Sequence, residues 1–254
     1  MLRKTLLFSI GSIIILGTFA GGQVLAQCGP GDHWIDSCVG GQDSFPSISA
    51  IGGVDISFDC GTDVTIPASG SAVVQRADPS DDSQNYPGTR PIDGHDDVID
   101  TEILSMTLTG SGASITAGAG QGYGGALSAS NGIIAEQLTD PALGESFFDL
   151  YLEAYLNGFY AYNHVPIRVQ ATLDRFPPYG VTYTFNGCIP AYSSPDSGQG
   201  AQIGNITSVT LTINEPSPIP TLNEWGLLIM SLLLLAFVTT AVIKKKREKI
   251  ARTI

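Results

Sequence analysis

The chain has 254 residues and carries 12 lysines and arginines against 24 aspartates and glutamates, a formal net charge of −12. The cations gather at its two ends: residues 27–218 hold four arginines, no lysine and 22 acids, so their net charge is −18. So acidic a surface repels phosphate backbones and argues against nucleic acid as a partner; it suits a protein solvated outside the cell, or one that gathers divalent cations.

The first residues, MLRKTLLFSIGSIIILGTFAGGQVLAQC, read as an export signal. Arg3 and Lys4 make a positive start, Leu6 to Ala20 is apolar, and Val24-Leu25-Ala26 supplies the small-x-small pattern that signal peptidase needs. Cleavage after Ala26 makes residues 1–26 a signal peptide and Gln27 the new N-terminus. Gln27 is too large for the position before a lipidated cysteine, which sets aside a lipoprotein reading of Cys28.

From 27 to 215 the length suits one sizeable domain, or at most two small ones. Apolar residues alternate with polar ones at period two. Val54, Ile56 and Phe58 form the first such set, followed by Leu104, Met106 and Leu108. Phe148, Leu150, Leu152, Ala154 and Leu156 alternate with Asp149, Tyr151, Glu153 and Tyr155. Val165, Ile167, Val169, Ala171 and Leu173 follow, then Val181, Tyr183 and Phe185, and Val209, Leu211 and Ile213. One face of each strand is buried and the other wet, with Gly- and Pro-rich breaks between runs. The expectation is an all-β ectodomain, an antiparallel β-sandwich of Greek-key or jelly-roll kind.

Cys28, Cys38, Cys60 and Cys188 all lie in this exported region, an even number in an oxidising compartment. Four cysteines allow three pairings; the expected one is Cys28–Cys38 closing a local loop and Cys60–Cys188 joining distant strand ends. A metal site is the rival reading, but no CxxC spacing is present.

The candidates for chemistry are weaker. Gly120-Gln121-Gly122-Tyr123-Gly124-Gly125 satisfies GxGxxG, but no helical pattern follows it, so a flexible turn is the better reading. Asp93, Asp96, Asp97, Asp100 and Glu102 form the densest acidic cluster, with hard oxygens of the kind calcium takes; their spacing is not that of an EF-hand, and a solvated acidic loop competes. Apart from that calcium no cofactor is expected. His33, His95 and His164 have no second histidine at metal-ligand spacing, and no GxSxG motif occurs. With 22 acids in residues 27–218, some carboxylate pair of glycosidase type arises by chance. No enzyme is expected.

Glu215-Pro216-Ser217-Pro218-Ile219-Pro220 is a stiff spacer opening a linker over 216–224. Trp225 to Ile243 then runs 19 residues without a charge, about 28 Å as a helix and close to the ~30 Å core of a bilayer. Lys244, Lys245, Lys246, Arg247 and Lys249 follow in the tail 244–254, and the positive-inside rule keeps them cytoplasmic. One C-terminal transmembrane helix over 225–243 is expected, with the N-terminal part of the chain outside.

Ile219, Pro220, Thr221, Leu222, Glu224, Trp225 and Gly226, followed by the apolar run and the basic end, resemble the IPTL-type C-terminal sorting signal, a relative of the PEP-CTERM signals that exosortases handle in Gram-negative bacteria. The chain departs at Asn223, where Ser is commoner, and keeps a small polar residue. The resemblance implies a membrane-embedded, cysteine-dependent transpeptidase as partner, cutting near the motif. It also implies a cell-surface or matrix location, reached through a single-pass precursor in the inner membrane. For the exported domain two readings stay open. One is a non-catalytic structural or adhesive surface protein. The other is a module that binds extracellular polysaccharide, with or without calcium, through exposed aromatics such as Tyr151, Tyr155, Tyr160 and Tyr162.

Overall fold

The structure is a computed structural model that describes residues 28–85, 96–156, 158–216, 229–233 and 235. The signal peptide, the sorting motif Ile219–Gly226, the basic tail and Asp93 lie outside the described residues. Of the expected span 225–243, residues 229–233 and 235 are described; they are helical and exposed. No helix among the described residues is long and apolar enough to cross a membrane.

The described chain is mostly antiparallel β-sheet. Its strands are β1 (Gly41–Asp55), β2 (Val64–Arg76), β3 (Val98–Gly110), β4 (Ala113–Ala117), β5 (Ser130–Gln137), β6 (Asp140–Leu150), β7 (Leu152–Leu156), β8 (Phe159–Asn163), β9 (Ile167–Leu173), β10 (Thr182–Tyr192) and β11 (Gln202–Ile213). Several are halves of one longer strand. β4 and β5 follow one another along β3, pairing with Met106–Gly110 and Val98–Ile103 respectively. Only Tyr151 separates β6 from β7, and residues 164–166 separate β8 from β9. The segments thus make eight long strands, each beside its neighbours in sequence, and β11 closes the ring on β1.

The antiparallel all-β expectation is met, but the Greek-key or jelly-roll order is not what the pairings show. Neighbours in space are neighbours in sequence, as in an up-and-down barrel. The reason is local: two-residue connections between β3 and β4, β5 and β6, and β7 and β8 leave the chain no reach for a crossover. The ring is thinnest where β10 meets the β8–β9 strand, through Thr184–Gln170, Ala191–Asn163 and Tyr192–Tyr162 alone.

Inward alternation builds the core. Phe45, Val74, Ile103, Met106, Leu108, Phe148, Leu150, Ile167, Val169, Tyr183 and Leu211 pack in one buried cluster, each large side chain contributing about 1.5–3 kcal/mol by leaving water. An apolar void of about 40 Å³ remains among Phe45, Met106, Phe148 and Tyr183, room for roughly three waters and no polar atom to hold them. The interior is a filled core. A short 3-10 turn (Trp34–Ser37) with buried Trp34 and Ile35 belongs to the same cluster, tied by the Cys28–Cys38 bridge. Beside that bridge Arg76 and Asp43 form a buried ion pair at 2.5 Å.

Three strand readings need correction. Ile103, and not Leu104, shares the buried face with Met106 and Leu108. Ser105 faces Val73 while Ile103 faces Val74, so Leu104 is the extra residue of a β-bulge, which shifts the alternation by one. Ile56 and Phe58 lie beyond the end of β1 and are exposed. The chain turns there because Asp55 accepts the N–H groups of Ser57, Phe58 and Cys60, each at 2.8 Å. The strand Ile167–Leu173 has the expected register, but Val165, read as part of its buried face, lies before the strand and is exposed.

The pairing of β1 with β11 also fixes which end of the barrel the tail leaves. Ile213 pairs with Ile48, and Asn205 with Asp55. The chain therefore leaves for its tail at the end opposite the loop 56–63, whereas the β3–β4 and β7–β8 turns lie at the loop's own end.

Candidate functional site

The outer face toward the end that carries the loop 56–63 bears a strip of aromatic side chains. Antiparallel pairing sets Tyr155 opposite Tyr160 and Glu153 opposite Tyr162, all on one face of the β7–β8 hairpin. Leu152 alternates with them and lies in the core, so the tyrosine face is the outer one. Ring centroids stand 5.0 Å apart for Tyr155–Tyr160 and 6.4 Å for the stacked pair Tyr160–Tyr162. Tyr192 of β10 pairs with Tyr162, and His164 stacks on Tyr192 at 4.1 Å with the planes parallel.

A loop folds over this face. Residues 118–129 interrupt the strand formed by β4 and β5, and they contain the GxGxxG stretch. Gly120, Gly122, Gly124 and Gly125 all have positive φ, a conformation that costs a side chain energy and glycine little. The path brings the Tyr123 N–H to Glu153 Oε2 at 2.7 Å and the Tyr123 ring to 5.4 Å from Tyr160. The stretch is a shaped turn that delivers one more tyrosine to the strip.

The strip has two layers. Tyr123, Tyr155 and Tyr160 are 72%, 38% and 37% exposed, whereas Tyr162 is 4% and Glu153 7% exposed. Tyr162 donates its hydroxyl to Glu153 Oε2 at 2.7 Å. Burial first, then that hydrogen bond and the carboxylate's charge, push the Tyr162 phenol well above the ordinary tyrosine range. This corrects two expectations: Glu153, expected on the wet face, is covered by the loop, and Tyr162 is a support for the exposed rings. Tyr151 is half-buried and lines an adjoining cleft of about 410 Å³ with Asn163, His164, Asp196 and Ser197. Asn163 has both its amide hydrogens taken, donated to the carbonyls of Leu150 and Val165, while its Oδ1 accepts from the Leu152 N–H. His164 Nε2 lies 2.8 Å from the Ser194 carbonyl.

Each described arginine is engaged elsewhere: Arg76 with Asp43, Arg168 with Asp149 and the Phe147 ring, and Arg175 with Asp174. The strip is aromatic and hydroxyl-rich, with no cation among the residues that form it.

The other sequence candidates fall in several places. Both expected disulfides are present, Cys28–Cys38 and Cys60–Cys188. The acidic residues are not gathered: among the described residues no three His, Cys, Asp or Glu stand together as a metal site. Asp100 accepts from Ser83, Gln84 and Asn85, and the Asp96 N–H donates to Asp36. Asp97 is buried, while Glu102 sits half-buried on β3. His33 Nδ1 lies 3.2 Å from Glu136, whose carboxyl burial pushes up against the pull of His33. His95 lies outside the described residues. Asn205 is buried and donates to Asp55.

Residues 217–240 match the family model described as the IPTL-CTERM motif. The tail carries a C-terminal sorting signal. That signal is the mark of an exported, surface-directed protein processed by an exosortase-like system. The match covers the tail alone. No curated protein matches the chain in sequence. Among solved structures, DynF from the dynemicin biosynthesis pathway of Micromonospora chersina is similar at a TM-score of 0.54 and 16% identity, over 77% of this chain and 88% of that one. At that identity the likeness is one of fold alone.

Proposed function

We propose that the chain is an exported bacterial surface protein whose domain over 27–215 is a non-catalytic structural or adhesive module. Residues 1–26 direct export. The apolar segment 225–243 and the lysines after it hold a single-pass precursor in the inner membrane, with the domain outside. An exosortase-like transpeptidase then cuts near Ile219–Gly226 and passes the domain to the surface or matrix.

The match of residues 217–240 to the IPTL-CTERM motif carries this reading. The aromatic strip supports the adhesive part, since its three outer rings stand clear of the core. The test is processing. Changing Pro220 and Thr221 to Ala leaves Trp225–Ile243 intact, so insertion and orientation survive. With one tag after Gln27 and another after Arg252, the wild type is expected to lose the second tag at the surface, while the double variant accumulates as full-length precursor. Equal retention of both tags in the two proteins overturns the reading and leaves a plain anchor.

A further inference from the structure

We propose that the strip of Tyr123, Tyr155 and Tyr160 is a glycan-binding site, specific for sugar chains without carboxylate or sulfate groups. This rests on the reading that the domain is exported, since only there does it meet polysaccharide.

The chemistry of the surface carries the proposal. A pyranose ring has apolar C–H faces and a rim of hydroxyls, so a site for it needs flat apolar surfaces beside hydrogen-bonding groups. The strip has both. Three partly exposed rings lie in mutual contact, with centroids at 5.0 and 5.4 Å, and each carries a phenol hydroxyl. The cleft next to them, of about 410 Å³, adds Tyr151, His164, Asp196 and Ser197.

The surface is also held in place before any ligand arrives. Tyr160 stacks on buried Tyr162, which is tied to Glu153, and the same carboxylate oxygen holds the Tyr123 backbone. Tyrosine has few torsions to freeze, and the ring contact of Tyr160 with Tyr162 and the held Tyr123 backbone lower the cost of binding further.

Charge selects among occupants that could stack on tyrosines. Single-stranded nucleic acid stacks on such platforms only beside a basic groove, and none of the described arginines is available here. Asp196 and the excess of acids over residues 27–218 repel uronates and sulfated chains in the same way. Uncharged hexose and N-acetylhexosamine polymers remain.

The experiment is co-sedimentation of the full chain, purified in detergent, with insoluble cellulose, chitin and mannan and with alginate beads. Retention is expected on one or more of the three neutral glycans and not on alginate. The Tyr155→Ala/Tyr160→Ala double variant should lose at least tenfold in retention with an unchanged circular dichroism spectrum. Tyr160→Phe, which keeps the ring and the fold, should lose less than threefold. Failure to bind any neutral glycan, equal retention of the double variant, or preference for alginate overturns the proposal. So does tyrosine-dependent dimerisation in analytical ultracentrifugation without glycan retention, which assigns the strip to a second copy of the chain. None of these results touches the Pro220/Thr221 processing test, so the site and the sorting can fail separately.

Discussion

The Tyr162 hydroxyl and the Tyr123 backbone N–H converge on one atom, Glu153 Oε2, each at 2.7 Å. A single carboxylate oxygen therefore joins the loop 118–129 to the β7–β8 hairpin beneath the exposed rings.

Glu153→Ala removes both acceptor contacts and leaves a buried hydroxyl and a covered N–H without their partner. Each orphaned group costs about 1–3 kcal/mol. The expected outcome is a melting temperature lower by several degrees and faster amide exchange at Tyr123. Glu153→Gln, which keeps an acceptor oxygen, should recover most of the loss. Equal melting temperatures for wild type and the Ala variant would remove the anchor from the description.

Buried tyrosines give an alkaline signature. Burial pushes up the phenols of Tyr162, Tyr183 and Tyr179, opposed in Tyr183 by the hydrogen bond it donates to Ser146. For a group whose pKa is raised by folding, the stabilisation is whole below its unfolded value, near 10, and is lost as pH rises through the folded value. Ultraviolet titration of the native protein should therefore stop short of the nine tyrosines of the chain. The missing phenols should ionise together with unfolding. A smooth titration of all nine at an ordinary pKa contradicts the buried layer.

Period-two alternation read the fold well wherever a strand was regular and its outer face met water. Ile167–Leu173 is such a strand. It failed at Leu104 because a bulge inserts one residue, a feature set by the partner strand and not by local sequence. It failed at Glu153 because a loop thirty residues earlier in the chain covers it, and no periodicity reports that. Ile56 and Phe58 continued an apolar rhythm past a turn held by Asp55. The up-and-down order was within reach: Asn157-Gly158 is a strong two-residue hairpin signal between alternating runs. The tyrosines of the strip were legible as aromatics on a strand; the division into exposed rings and buried supports needed the third dimension.

The loop 56–63 should be sensitive to acid. Burial opposes ionisation of Asp55, but the hydrogen bonds from Asn205, Cys60, Ser57 and Phe58 outweigh it and hold the carboxyl below the usual range. The Ser57 hydroxyl and the Ile56 and Ser57 N–H groups do the same for Asp63. A depressed pKa gives stability that is whole above about pH 4 and is lost as pH falls through the folded value. Exchange protection of Ser57, Phe58 and Cys60 should thus fade below pH 4 before the core opens. Asp55→Asn should lower that protection at neutral pH. Protection unchanged down to pH 2 would sink the idea.

The two disulfides should differ in weight. Cys60 and Cys188 are 128 residues apart and Cys28 and Cys38 only 10. In the chain-entropy model these loops correspond to about 5 and about 3 kcal/mol. Cys60→Ala/Cys188→Ala should therefore lower the urea midpoint more than Cys28→Ala/Cys38→Ala. The reverse order would mean that the short bridge acts chiefly through its contacts with the side chains packed against it.

Those contacts centre on Arg76 and give the most discriminating stability test. Its Nε donates to Asp43 Oδ2 at 2.5 Å, its Nη1 to the Val39 carbonyl at 2.8 Å, and its guanidinium lies 4.7 Å from the centre of the Phe176 ring. Both charged side chains are almost fully out of water. Attraction between them is offset by the desolvation of each, so the pair as a whole adds little, but removing one partner strands the other. Asp43→Ala is expected to cost about 3–5 kcal/mol, and Arg76→Met a similar amount. The double variant Asp43→Leu/Arg76→Met replaces the pair with apolar groups of similar size and should cost far less than the two single changes added together. Urea unfolding of the four proteins measures the coupling directly. Additive losses would show that the two charges do not depend on each other, and that the Val39 and Phe176 contacts hold the guanidinium without Asp43.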